Sequence, residues 1–112
     1  MDTTKENNSA VFYYHHPHYH YNCAQAITYK WTGDKSLVSH MKNKGSGQAE
    51  EGHCGALHAA LFIADTPIQK SKILNRFTAI TGSPYCRQIR SMGKISCKSC
   101  VEIADKLLHE II

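Results

Sequence analysis

The apolar positions of this chain recur at helical spacing, in short segments punctuated by glycine and proline. Over 97–112, Cys97, Cys100, Val101, Ala104, Leu107, Leu108 and Ile111 return at intervals of three and four, which predicts a helix with one buried face. Ile68, Ile73, Phe77 and Ile80 or Thr81 make a second stripe, with Pro67 before it and Gly82 after it as start and stop signals. "NCAQAITYKWTG" predicts a helix that Asn22 caps and Gly33 ends, and "DKSLVSHMKNK" predicts a further helical segment. "HCGALHAALFIA" is small and apolar throughout, so a buried helix is expected. A short helix is expected with Ser83 as cap and Pro84 as its first residue. Strand signals are almost absent outside "VFYY" at 11–14, and no solenoid repeat is present. The fold class that follows is all-α: a compact bundle of about four to five helices.

Composition narrows the class. A chain of 112 residues with 42% apolar and 20% charged residues suits one globular domain with a modest core. Residues 1–10 read as a flexible polar tail and 11–112 as a single cysteine-rich helical domain, with "GSGQAEEGHCG" as a flexible linker inside it. No apolar run is long enough to span a membrane. "MDTTKENNSA" lacks the basic start and apolar centre of a secretory signal, so a cytoplasmic location without stable disulfides is expected. The formal charge of +4 is mild and reads as scattered. Nucleic acid is therefore not expected as a partner, whereas an acidic redox partner protein would fit.

Five cysteines, Cys23, Cys54, Cys86, Cys97 and Cys100, are many for a reducing compartment, and their odd number suits no closed disulfide framework. Four of them stand where helices are predicted to begin. Asn22 precedes Cys23, Ser83-Pro84 precedes Cys86, Ser96 precedes Cys97, and Cys54 opens its helix after Gly52-His53. A helix N-terminus offers free N–H groups and positive potential, which stabilise a thiolate. Thiolate is the form that binds metal or attacks a disulfide. Cys97 and Cys100 form C-x2-C on one helical face, a motif shared by zinc, iron–sulfur and redox-thiol sites. The alternation of strands and helices of a thioredoxin-like fold is missing. Covalent c-type haem is not expected, because Val101 follows the second cysteine where attachment needs histidine. Small buried thiols remain the bland alternative.

Histidines form the second group. "HHPHYH" supplies His15, His16, His18 and His20, a density that can bind divalent metal. Pro17 interrupts any regular helix through them, and an exposed aromatic arm is the preferred reading. His53 adjoins Cys54. His40, His58 and His109 fall on predicted helices and carry no specific signal.

"YNCAQAI", "CGALHAAL", "GSPYCRQI" and "CKSCVEIADKLL" resemble, in order and approximate spacing, the C-GCAxxG-C-C family of redox-active proteins. The resemblance runs from about Tyr19 to Leu108. It places the family's four cysteines on Cys23, Cys54, Cys86 and Cys97, with Cys100 additional. "GKISCKSCV" also resembles the iron–sulfur domain of split-Soret cytochromes, without their haem-bearing region. One departure stands in Cys54-Gly55-Ala56-Leu57-His58-Ala59, where Ala59 replaces the motif's last glycine. The resemblance implies a redox role with a cysteine-bound cofactor.

The expectation is thus an electron-transfer or redox-sensing protein in which Cys23, Cys54, Cys86, Cys97 and Cys100 are the ligand pool of an iron–sulfur cluster, [2Fe–2S] by preference. Such a cluster takes four thiolates, so Cys23 and Cys100 compete for the fourth place. Gly55 and Ala56 would let backbone N–H groups approach the cluster sulfurs. The alternatives are a thiol–disulfide protein using Cys97 and Cys100 and a structural module holding zinc. No acid–base pair for small-molecule turnover can be read. A homodimer would shield a cofactor in so small a chain, although no interface is written in the sequence.

Overall fold

The computed structural model describes residues 9–14, 17, 19–44 and 52–112. His15, His16 and His18, residues 1–8 of the polar tail and residues 45–51 of the Gly-Ser linker lie outside the described residues. Among the described residues the fold is all-α, with seven helices: α1 Ala10–Tyr13, α2 Cys23–Thr32, α3 Lys35–His40, α4 Gly55–Ile63, α5 Pro67–Thr81, α6 Cys86–Met92 and α7 Cys97–Ile111. A 3-10 turn, Met41–Lys44, extends α3. That is more than the four to five expected, because the smaller segments are helical too.

Local chemistry sets most boundaries. Asn22 and Gln25 form a reciprocal capping box at the start of α2, and Gly33 ends it in the left-handed conformation. Thr66 and Gln69 repeat the box at α5, with Pro67 as first residue and Gly82 as terminator. Each box satisfies two N–H groups that a helix start leaves without partners. Gly82 has φ +90, and a Cβ added there would lie 3.1 Å from Met92 Cε. Gly33, at φ +64, has open space around it. Gly82→Ala is therefore expected to cost about 1–2 kcal/mol, more than Gly33→Ala, because Met92 must also move; urea midpoints of the two variants check this.

The core sits where α2, α4, α5 and α7 meet, α2 packing most closely on α4 and α5 on α7. Ala24, Ala26 and Ile27 of α2 and Ala56, Leu57, Ala59 and Ala60 of α4 are fully buried. Small side chains let these two helices approach. Ala59, at the position of the motif's last glycine, lies in regular helix with its Cβ in the core, so no glycine conformation is needed there. On α5 the buried stripe is Ile73, Phe77 and Thr81. Ile68 and Ile80 face out, at 69% and 49% exposure; of the two alternatives for the stripe's end, Thr81 is the inward one.

Two local expectations are corrected. "VFYY" is not a strand: Val11, Phe12 and Tyr13 belong to α1, and only Tyr14 makes an isolated bridge, with Tyr21. Asp105 of α7 accepts the Ala10 N–H at 3.0 Å, and this distant carboxylate satisfies the first turn where Ser9 does not cap it. The sixth helix starts at Cys86, with Tyr85 as cap residue, and not at Ser83-Pro84. Pro84 stays outside it because its carbonyl accepts the Cys54 N–H at 2.8 Å. Ser83 Oγ accepts the Tyr85 N–H at 3.0 Å and donates to Gln88 at 2.6 Å.

Candidate functional site

The cysteines stand at helix starts. Cys23, Cys86 and Cys97 are the first residues of α2, α6 and α7, and Cys54 is the cap residue of α4. Backbone ties draw these ends together. Cys54 N–H donates to Pro84, and His53 pairs with Tyr85, so the entries to α4 and α6 run side by side. Tyr14 pairs with Tyr21, which brings the end of α1 to the entry of α2. The result is one cavity of about 70 Å³ lined by Tyr14, Asn22, Cys23, Cys54, Gly55, Cys86, Arg90 and Cys97. Behind it a hollow of about 10 Å³ is lined by Cys54, Cys86, Cys97 and Cys100 with Ile89, Ile95 and Arg90.

None of the five cysteines is in a disulfide. Cys23, Cys54, Cys86 and Cys100 are buried, and Cys97 is half-buried. Cys54 donates its S–H to Cys100, and this bond, together with burial, pushes the Cys54 thiol well up. The N–H groups of Leu57 and Ala56 point at the same sulfur and oppose the shift. Cys97 lines both the cavity and the small hollow, whereas Cys100 lines only the hollow, where it is engaged with Cys54. Cys86 is also pushed up, chiefly by burial, with Arg90 opposing.

Two polar side chains meet at Cys97. Burial first, then the charges of Cys97 and Cys23, push the Tyr14 phenol up to about 12. Tyr14 is therefore a neutral O–H donor at physiological pH, and its hydroxyl donates to the Cys97 sulfur. Arg90, one turn after Cys86, hydrogen-bonds the same sulfur, which holds its guanidinium still more firmly protonated. Neither residue was singled out from the sequence. The spacing of Arg90, four after Cys86, was the one available signal; nothing local marks Tyr14, which arrives from another part of the chain.

The lining is a soft donor set of thiols at helix N-termini, with backbone N–H groups and one guanidinium. Thiolate ligands select soft and borderline metals and iron–sulfur clusters, so the residues fit the expected cofactor in kind. Among the described residues, no group of three or more His, Cys, Asp or Glu is arranged to hold a single metal ion. His53 lies beside the site with its ring 5.6 Å from that of Tyr85 and does not line the cavity. A wider hollow, about 550 Å³ between Lys30, Asp105 and His109, lies apart from the cysteines. Three of its polar side chains are engaged with one another: Lys30 Nζ bonds Asp105 at 2.9 Å and His109 Nε2 at 2.6 Å. No described helix is long and apolar enough to cross a membrane. No family model, curated protein or solved structure matches the chain.

Proposed function

We propose that the protein is a one-electron carrier or redox sensor that holds an iron–sulfur cluster, [2Fe–2S] by preference, on Cys23, Cys54, Cys86 and Cys97. The observation that supports this reading is that four cysteines from four helix starts line one small cavity. Bound there, the cluster would supply one-electron transfer. The chain's own residues supply the rest. The helix N-termini stabilise thiolates. Ile89 and Ile95 wall the inner side and limit water. The Ala56 and Leu57 backbone N–H groups bias Cys54 toward thiolate, and Tyr14 and Arg90 donate to Cys97 sulfur. Donors of this kind favour the more negative, reduced state and raise a reduction potential. Cys100 sits behind the ligands as a fifth thiol. Because Cys54 and Cys86 are pushed up as thiols, their protons must leave on loading, and loading is favoured by higher pH.

A single tetrahedral zinc needs four donors at about 2.0–2.3 Å from one point, an arrangement not found among the described residues. A [2Fe–2S] cluster asks instead for two thiolates on each of two irons. The thiol–disulfide reading keeps one supporting observation, the contact of Cys54 with Cys100, which makes that pair, and not Cys97 with Cys100, its best dithiol. A thiol pushed up by burial is a poor nucleophile.

The test is a visible spectrum of protein purified without oxygen, with iron, sulfide and zinc assayed on the same sample. Brown protein with about two irons and two sulfides per chain is the expected result. Colourless, metal-free protein after reconstitution would reject the reading. In loaded protein, Arg90→Gln is expected to lower the reduction potential by on the order of 50 mV, because a positive donor to Cys97 is lost. Redox titration against the wild type measures it.

A further inference from the structure

The positive charge that reads as scattered is unevenly placed. Residues 66–101 contain seven Lys and Arg and no Asp or Glu, while the rest of the chain carries six basic and nine acidic residues. Within that run, Arg87, Arg90, Lys94 and Lys98 follow one another through α6, the α6–α7 turn and the first turn of α7, and all four are exposed. Arg90 itself lines the cysteine cavity. The acidic residues of α7 begin only at Glu102, on the side of the large Lys30–His109 hollow. Helix α6 lies at the periphery of the bundle and presents two kinds of surface. Arg87 and Arg90, three residues apart, share one flank. Tyr85 and Met92, two turns apart, share the other, at 39% and 44% exposure.

From this placement we infer that the outer face of α6 and the α6–α7 turn docks an acidic partner protein, and that electrons pass to or from the cysteine cavity through this face. The docking stands on the charge and exposure alone; the electron path rests on the cluster reading above. A protein is favoured over a nucleic acid or an anionic membrane because the same helix also carries exposed Tyr85 and Met92 on its other flank. Tyr, Met and Arg are enriched at protein interfaces, and complementary charge steers encounter. Four cations without a longer track would hold a phosphate backbone only weakly at physiological salt.

The experiment compares Arg87→Gln/Lys94→Gln/Lys98→Gln with a control of equal net charge, Lys35→Gln/Lys72→Gln/Lys106→Gln, whose lysines are exposed elsewhere. The first probe is a fluorescent deca-glutamate peptide, followed by anisotropy. Binding at low ionic strength is expected to weaken at least about tenfold in the face variant and less than about twofold in the control. Equal loss in both overturns the inference. So does binding of oligothymidylate or phosphatidylserine vesicles that persists at 0.15 M salt and depends on the same three residues. The second probe is electron exchange of the reduced, loaded protein with hexacyanoferrate(III). One electron leaves the protein and hexacyanoferrate(II) forms. The rate is expected to fall at least about threefold in the face variant and to fall with added salt, with the opposite salt trend for cationic hexaammineruthenium(III). Peptide binding that depends on the face, with electron exchange that does not, overturns the electron path. Protein that takes up no cluster rejects the cluster reading and the electron path with it, and the peptide arm still decides the docking.

Discussion

Cys54→Ser is expected to bleach the visible absorption of anaerobically reconstituted protein and to reduce bound iron from about two per chain to background. Cys100→Ser is expected to keep both. Cys54 donates to Cys100, so the contrast is sharp. Cys54 lines the cavity together with Cys23, Cys86 and Cys97. Cys100 lines only the hollow behind it. Serine is close to cysteine in size, and far-UV circular dichroism of each variant checks that the helices persist. If Cys100→Ser loses iron and Cys23→Ser does not, the fourth ligand is Cys100 and the cavity read from the lining is wrong. Removing the acceptor altogether takes away the leading cause that pushes Cys54 up, so Cys100→Ala should load iron at lower pH than the wild type.

Asp105→Ala should lower the unfolding free energy by about 3–5 kcal/mol, as removal of one partner of a buried ion pair typically does. Asp105 is 5% exposed. It accepts from the Ala10 N–H at 3.0 Å, from Lys30 Nζ at 2.9 Å and from Trp31 Nε1 at 2.8 Å. Without it, a largely buried ammonium and two N–H groups lose their acceptor, and the start of α1 is released. Urea denaturation measures the loss. A change below about 1 kcal/mol would show that the network is no stronger than a surface pair. Replacing both partners, Asp105→Leu with Lys30→Met, should recover part of the loss, because no charge is then left buried alone. The effect should reach the cysteines, since α1 is followed directly by Tyr14, its C-cap residue, which donates to Cys97.

Asp105 also marks a limit of sequence reading. It stands at the edge of the apolar arc of α7, next to Val101 and Leu108 on the helical surface. Periodicity alone treats such an acid as the edge of a solvated face. Its partners come from 74, 75 and 95 residues away, and no local pattern records them. The same holds for the hydrophobic stripe of α5, where spacing could not choose between Ile80 and Thr81. Thr81 is turned inward because its hydroxyl has two backbone acceptors, Phe77 and Ser83, at 2.9 and 2.7 Å.

What depends on neighbours along the chain was legible. The all-α class, the span of the two long helices, the cap at Asn22 and the helix ends at Gly33 and Gly82 are properties of a few adjacent residues. So is the position of cysteines at helix starts, since caps and first turns are written within four residues. What depends on distant segments was decided only by tertiary structure. Pro84 gave up a place in α6 because its carbonyl meets Cys54, and "VFYY" became a helical turn because Asp105 holds its first N–H. Convergence of Cys23, Cys54, Cys86 and Cys97 on one cavity, the pairing of Cys100 with Cys54, and the arrival of Tyr14 beside Cys97 have the same origin: a helix start determines where a thiol sits on its own element, while packing against the other elements determines what that thiol faces.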